Sequence, residues 1–259
     1  MQQIKSSHYD SKDINKISSI PVMYFNARSL SNKIVLLQNY ADEIKPKVMA
    51  VTETWAKSEI PDGIYALSGY NLFRDDRHDK RGGGVMIYVD HTISASQISF
   101  GSFSNFEFVS CKLQLTKSEF LGILCIYRPP NITDTGDLDL INVVDKFMML
   151  NFSYNIILGD FNMPTVDWKL FKAPTKFMPF VQCCTKYFLS QHVNESTRPN
   201  SNTLLDLVFS TIGTNIIDVT VEECFGSSDH SIINFAVELP FLKNALKQGI
   251  SKRDYYKAN

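Results

Sequence analysis

Tyr154-Asn155-Ile156-Ile157-Leu158-Gly159-Asp160-Phe161-Asn162 is the stretch whose reading decides the fold. Residues 154–158 form a short apolar strand that runs through a glycine into two polar residues one position apart. A strand buried on both faces gains nothing by ending in a carboxylate, so the ending carries information. Side chains alternate along a strand, which places Asp160 and Asn162 on one face. The competing account is a turn in which Asp and Asn satisfy their own backbone. The same kind of ending recurs: Asn26 closes the apolar segment 22–26, Glu53 follows the strand at 48–51, and Tyr127 closes 120–127. Polar residues also flank apolar runs at Asp206, Asp229 and His230. Sheet edges gather such residues from distant parts of a chain into one cleft.

Outward from this strand, a helix is expected over 138–150 before it and another over 177–188 after it, from apolar spacing. Leu30, Ile34, Leu37, Ala41 and Ile44 recur at helical spacing, with Ser29 or Ser31 as candidate cap and Pro46 as stop. Further strands are expected at 84–90, 106–115, 204–210, 216–221 and 231–239. In 106–115 one face stays apolar while the other turns polar, as in a sheet whose second face emerges toward solvent. Strict alternation of strand and helix is absent, so the expected fold is α+β: a four-layer sandwich of two mixed sheets packed face to face, with helices outside.

The 259 residues are 44% apolar and 20% charged, enough for one sizeable core, and no linker or repeat divides them. A domain at 21–240 is expected, between a polar arm at 1–20 and a basic tail or linker at 241–259. The net charge of −1 offers no bulk attraction to nucleic acid, so such binding would need a local basic surface. Five cysteines, an odd number without zinc-ligand spacing, fit free thiols in a reducing compartment. No secretory h-region or bilayer-length apolar run is visible, so an intracellular, soluble protein without membrane association is expected.

Individual residues sharpen the chemistry. Asp206 lies among Leu204, Leu205, Leu207 and Val208, and a carboxylate in so apolar a run needs a cation or a histidine as partner. Asp229 and His230 supply a carboxylate and an imidazole together, suited to a phosphate oxygen, although a cap or surface turn explains them too. Glu53 offers a hard oxygen suited to magnesium, or else caps the Trp55 segment. Tyr127 and Arg128 are expected to face the cleft where Pro129 and Pro130 stop the strand. The glycines at 82–84 precede a strand and lack a following Gly-Lys-Ser/Thr, which excludes a P-loop. No Gly-x-Ser-x-Gly elbow supports a serine nucleophile.

Taken in order, Asn26, Glu53, Tyr127, Gly159-Asp160-Phe161-Asn162, Leu205-Asp206 and Ser228-Asp229-His230 resemble the endonuclease/exonuclease/phosphatase superfamily over about residues 20–240. Asn26-Ala27-Arg28-Ser29-Leu30, Thr52-Glu53-Thr54-Trp55, Arg81-Gly82-Gly83-Gly84-Val85, Tyr127-Arg128-Pro129-Pro130 and Thr197-Arg198 look like the apurinic-endonuclease-like domain of non-LTR retrotransposons (LINEs), chicken-repeat-1 and jockey types. The resemblance implies an Mg²⁺-dependent endonuclease, with Mn²⁺ as an alternative ion, that nicks DNA and leaves a 3′ hydroxyl for a reverse transcriptase. That polymerase domain is expected to be absent from this chain, which is otherwise expected to be a monomer. Action on chromosomal DNA would place it in the nucleus.

The roles it implies are these. Glu53 and Asn26 would hold the metal, with Asp229 as a further ligand. Asp160 would deprotonate the attacking water, with Asn162 fixing its position. His230, held by Asp206, would donate to a phosphate oxygen, and Tyr127 would stabilise the transition state or leaving group. Asn26, Arg28, Arg128, Arg198 and Asn162 would contact the substrate. Relatives that repair abasic sites often carry an acid at the position of Arg28, which argues against abasic-site specificity here. The competing functions are a phosphoinositide or sphingolipid phosphodiesterase of the same fold and a catalytically inactive nucleic-acid-binding module.

Overall fold

The structure, a computed structural model, describes residues 19–78, 81–101, 103 and 105–239. The basic tail and most of the N-terminal arm lie outside the described residues; Ser19 and Ile20 already belong to the first strand. In chain order the elements are β1 Ser19–Asn26, α1 Ile34–Ile44, β2 Val48–Thr52, β3 Tyr70–Asp75, β4 Val85–Asp90, β5 Ala95–Ile98, β6 Glu107–Gln114 and β7 Phe120–Tyr127. They continue with α2 Asp134–Met149, β8 Tyr154–Asp160, α3 Met178–Lys186, β9 Ser190–Gln191, β10 Asp206–Ser210, β11 Asn215–Cys224 and β12 Ser231–Glu238.

The strands form two six-stranded sheets, ordered β11-β12-β1-β2-β4-β3 and β5-β6-β7-β8-β10-β9. Parity along each strand sorts its side chains between two cores. Val22 and Tyr24 of β1, Val48 and Ala50 of β2, Cys125 of β7 and Leu158 of β8 enter the core between the sheets. Met23, Phe25, Met49 and Val51 turn outward onto α1. Leu124, Ile126 and Ile157 turn outward onto α2 and α3. The four-layer sandwich of two mixed sheets expected from the sequence is therefore observed.

At the centre of each sheet lies a parallel pair joined by a helix: β1-α1-β2 in one, β7-α2-β8 in the other. Their carboxyl ends point to one edge of the sandwich. β12 runs antiparallel to β1, and β10 antiparallel to β8, so both strands begin at that edge. Topology alone thus brings Asn26, the Thr52–Glu53 turn, Tyr127 and Asp160 together with Asp206 and His230. Gly159 makes the central β7–β8 approach possible: its φ is 145° and a Cβ there would collide with the Ile126 carbonyl.

Some local expectations change. Lys33, not Ser29 or Ser31, stands at the start of α1, and no side chain caps that helix. Strands β3, β5 and β9 carry no clear alternation and were not expected from sequence. Helix α2 begins four residues early, capped by the Thr133 hydroxyl, which accepts from the Gly136 N–H at 3.2 Å. Phe73-Arg74-Asp75-Asp76 spells the aromatic-x-Asp-Asp order of a polymerase core, but here it ends edge strand β3. Asp75 accepts from the Phe108 N–H, and Asp76 pairs with Arg74 at 2.8 Å.

Candidate active site

The site is the uncovered end of the core between the sheets. Along β1 the inward face reads Val22, Tyr24, Asn26, so the apolar stripe becomes polar as the strand emerges. The same parity aims Thr52, Glu107, Tyr127, Asp160 and Asp206 into the space between the sheets. Backbone bonds from Ala27, Ser29 and Leu30 to the carbonyls of Thr52, Glu53 and Thr54 tie the ends of β1 and β2 together. Arg28, Ser29, Glu53, Trp55 and Asn162 all adopt positive φ. Non-glycine residues held there carry strain, and such residues concentrate at functional sites.

Asn26 is fully buried and its amide links the two sheets. Its Nδ2 donates to Glu53 Oε1 and to Asp160 Oδ2, at 3.0 Å each, while its Oδ1 accepts from the Arg28 N–H at 3.0 Å. Glu53 also accepts from Trp55 Nε1 at 3.1 Å, so its carboxylate is oriented while remaining partly open to solvent. Among the described residues, Asp160, Asp206 and His230 bring donor atoms within 4.8 Å of one another.

A second chain of bonds lies beneath them. His230 Nδ1 is 2.7 Å from Asp206 Oδ2, and the Tyr24 hydroxyl donates to Asp206 Oδ1 at 2.7 Å. Thr52 Oγ1 lies 2.9 Å from the same hydroxyl. Since the phenol has one proton and gives it to the carboxylate, Thr52 is the donor in that contact. Ser228 closes the arrangement, donating to the Asn26 carbonyl at 2.6 Å and accepting from the His230 N–H at 3.2 Å.

Charge and burial set the proton affinities. Burial, then the neighbouring Asp206 charge, pushes the Asp160 carboxyl well above its usual range. Burial works against the His230 imidazolium, but Asp206 overcomes it and raises the group to about 9. Burial and the charges of Glu53 and Asp160 hold the Tyr127 phenol protonated at any ordinary pH. Arg77 lies over the Tyr127 ring, 5.4 Å from its centroid, and holds Glu107 through two bonds of 2.6 and 2.9 Å.

One expectation is corrected. Arg128 does not face the cleft: strand parity points it opposite to Tyr127, into the layer beneath α2. There it is fully buried, bonded twice to Asp137 at 2.6 and 2.8 Å, and it donates to the carbonyls of Phe161 and Asn162. It has no exposed N–H for a phosphate and instead braces the turn after β8. Asp229 is paired with two arginines. Arg28 approaches its Oδ1 at 3.2 Å, and Arg198 holds its Oδ2 at 2.9 and 2.6 Å. A cation there would have to displace two guanidinium groups.

Asn162 joins Asp160 by another route than strand parity. It lies past the strand end at φ 49°, its N–H donates to Asp160 Oδ1 at 3.1 Å, and its amide donates to the Arg128 carbonyl at 2.9 Å. The turn expected from sequence is present, and it is what holds Asn162 against Asp160 at the gathered edge. Sequence reasoning missed Tyr24, Thr52, Arg77, Glu107 and Asp137. For Tyr24 the signal existed, since it sits two residues before Asn26 on the same face, but it reads as core.

Open clefts flank the site on both sides. One of about 560 Å³ is lined by Trp55, Lys57, Arg77 and Arg81 among others, and one of about 870 Å³ by Tyr127, Asn131, Arg77 and His78. Arg81 stacks on the Trp55 ring, 5.0 Å from its centroid. No described helix is long and apolar enough to cross a membrane.

A family model described as endonuclease-reverse transcriptase matches residues 121–234. No curated protein matches the sequence. Among solved structures, the fold is similar to the endonuclease domain of TRAS1, a telomere-specific non-LTR retrotransposon. The TM-score is 0.66 at 17% identity, covering 85% of this chain and 99% of that one. It is also similar to the AP endonuclease LMAP from Leishmania major (TM-score 0.65, 14% identity, 86% and 89% covered). A third is the 3′ phosphatase NExo from Neisseria, bound to a product DNA hairpin (TM-score 0.64, 13% identity, 85% and 100% covered). The sandwich with its gathered edge is thus similar in fold to these nucleases and this phosphatase.

Proposed function

We propose that the chain is a divalent-metal-dependent DNA endonuclease that cuts one strand and leaves a 3′ hydroxyl. The observation that carries this reading is the Asn26 amide, bonded at 3.0 Å to both Glu53 and Asp160 and so joining carboxylates from opposite sheets at one point. The fold shared with the TRAS1 endonuclease domain and with a phosphatase bound to product DNA supports DNA as substrate.

The residues present fit a hard cation. Glu53 and Asp160 converge on the Asn26 amide from opposite sheets, and carboxylate oxygens are the donor type Mg²⁺ prefers. Glu53 would hold it, with Asn26 as a ligand only through its Oδ1, and Mn²⁺ suits the same set. When bound, such an ion supplies charge neutralisation at a phosphate. Asp160, high in proton affinity and oriented by Asn26 and Asn162, takes the proton of the attacking water. His230, its Nδ1 committed to Asp206, offers Nε2–H to a phosphate oxygen, and Tyr127 donates toward the leaving oxygen. Arg28 and Arg198, at the rim, meet flanking phosphates. Arg128, buried beneath α2, takes no part in substrate contact, and Asp229 would be a further ligand if its arginines turn to phosphate.

Supercoiled plasmid incubated with Mg²⁺ is expected to be converted to the nicked form by wild type, and neither with EDTA nor by Asp160→Ala. Equal nicking by wild type and Asp160→Ala, or cleavage of an inositol polyphosphate in place of DNA, contradicts the reading.

A further inference from the structure

We infer that Tyr24 is a positioning residue for the Asp206–His230 pair, fixing through its hydroxyl which oxygen of Asp206 the imidazole receives. The inference rests on the role given to His230 above and adds a residue to that site. Asp206 is wholly buried and its carboxylate has two oxygens to commit. One receives His230 Nδ1 and the other receives the Tyr24 hydroxyl, both at 2.7 Å. Rotation of a carboxylate about its last bond is soft, so the imidazole alone would not define its plane. A second donor on the opposite oxygen does.

The phenol is suited to this task because it cannot move. Its ring is fully buried in the core between the sheets, and Thr52 Oγ1 donates to its oxygen at 2.9 Å. The Asp206 N–H is separately bonded to Thr197 Oγ1 at 3.0 Å, which fixes the backbone but not the carboxylate. Tyr24 and Thr52 belong to one sheet and Asp206 to the other, so the bond also sets the spacing of the sheets at the site. Phenylalanine at position 24 would keep the packing and leave Asp206 Oδ1 without its donor. The carboxylate would then turn or take up water, and Nε2 of His230 would lose its fixed aim.

Tyr24→Phe is expected to lower kcat for plasmid nicking about tenfold, the scale of one hydrogen bond to a charged group, with KM within about twofold. In a His230→Ala background the same substitution is expected to cost nothing further, a result that loss of packing would not give. Thr52→Val is expected to move kcat the same way by a smaller factor. Tyr24→Phe nicking at the wild-type rate, or costing the same factor in both backgrounds, overturns the inference. Should wild type itself fail to nick, the functional reading falls, and the inference is decided by the proton resonance of His230 Nδ1–H. A shift in Tyr24→Phe and in Thr52→Val supports it, and an unchanged resonance overturns it.

Discussion

Asp229 and His230 are consecutive, yet they belong to opposite kinds of electrostatics. His230 reaches inward to Asp206, where the side chains are 6% and 0% exposed. Asp229 turns outward between Arg28 and Arg198, whose side chains are 54% and 41% exposed. Inside, desolvation makes each charge depend on its one partner, and removing a partner leaves the other uncompensated. At the rim, water and salt screen the same nominal attraction, and surface ion pairs contribute roughly 0–1 kcal/mol. The inner pair is therefore a fixed tool. The rim triad is a store of two guanidinium groups that can leave Asp229 for a phosphate at little cost.

The larger effect is expected inside and shows in the pH dependence of the metal-free protein. The folded His230 imidazole sits at about 9 against an ordinary value of 6.5, so its contribution is fully present below 6.5 and is lost as pH rises from there to about 9. The buried Asp160 carboxyl, also raised, contributes a fall of the same sign, beginning at lower pH above its ordinary 3.8. Melting temperature in EDTA should therefore drop through the window 6.5–9 by the equivalent of about 1–3 kcal/mol. In Asp206→Asn, only Asp160 and Asp229 remain to raise the imidazole against burial, and that drop should shrink. A drop of the same size in the variant would place the inner pair among the screened ones.

The smaller effect is expected at the rim. Arg198→Ala should leave melting temperature within about 0.5 kcal/mol equivalent and kcat unchanged, while raising KM for DNA a few-fold at low salt. The slope of log affinity against log salt should fall by about one unit. A large loss of kcat would show that the rim belongs to the reacting centre after all.

Much of this is legible in the sequence. The sandwich followed from apolar segments of strand length mixed with helices, and the site from polar residues closing strands at Asn26, Glu53, Tyr127 and Asp160. Asp206 declared itself because a carboxylate among leucines needs a partner, and His230 is that partner. What escaped were residues whose role is set by pairing across the sheets. Tyr24 reads as core because its ring is core, and only its hydroxyl is functional. Arg128 misled because a guanidinium beside a strand end suggests phosphate, although parity with Tyr127 already assigned it the opposite face. The pairing of Asp229 was hidden because its two arginines come from positions 28 and 198. Strand β3, half-buried at a sheet edge, has no alternation strong enough to reveal it.

The central claim is that carboxylates contributed by different sheets act as one unit. The most direct test is the single-turnover nicking rate of Glu53→Gln, Asp160→Asn and the double variant. Each single change is expected to lower the rate by at least about a hundredfold, and the double variant to be no slower than the slower single one by more than about threefold. Losses that multiply in the double variant would mean that Glu53 and Asp160 act independently, and the account of one shared site would be contradicted.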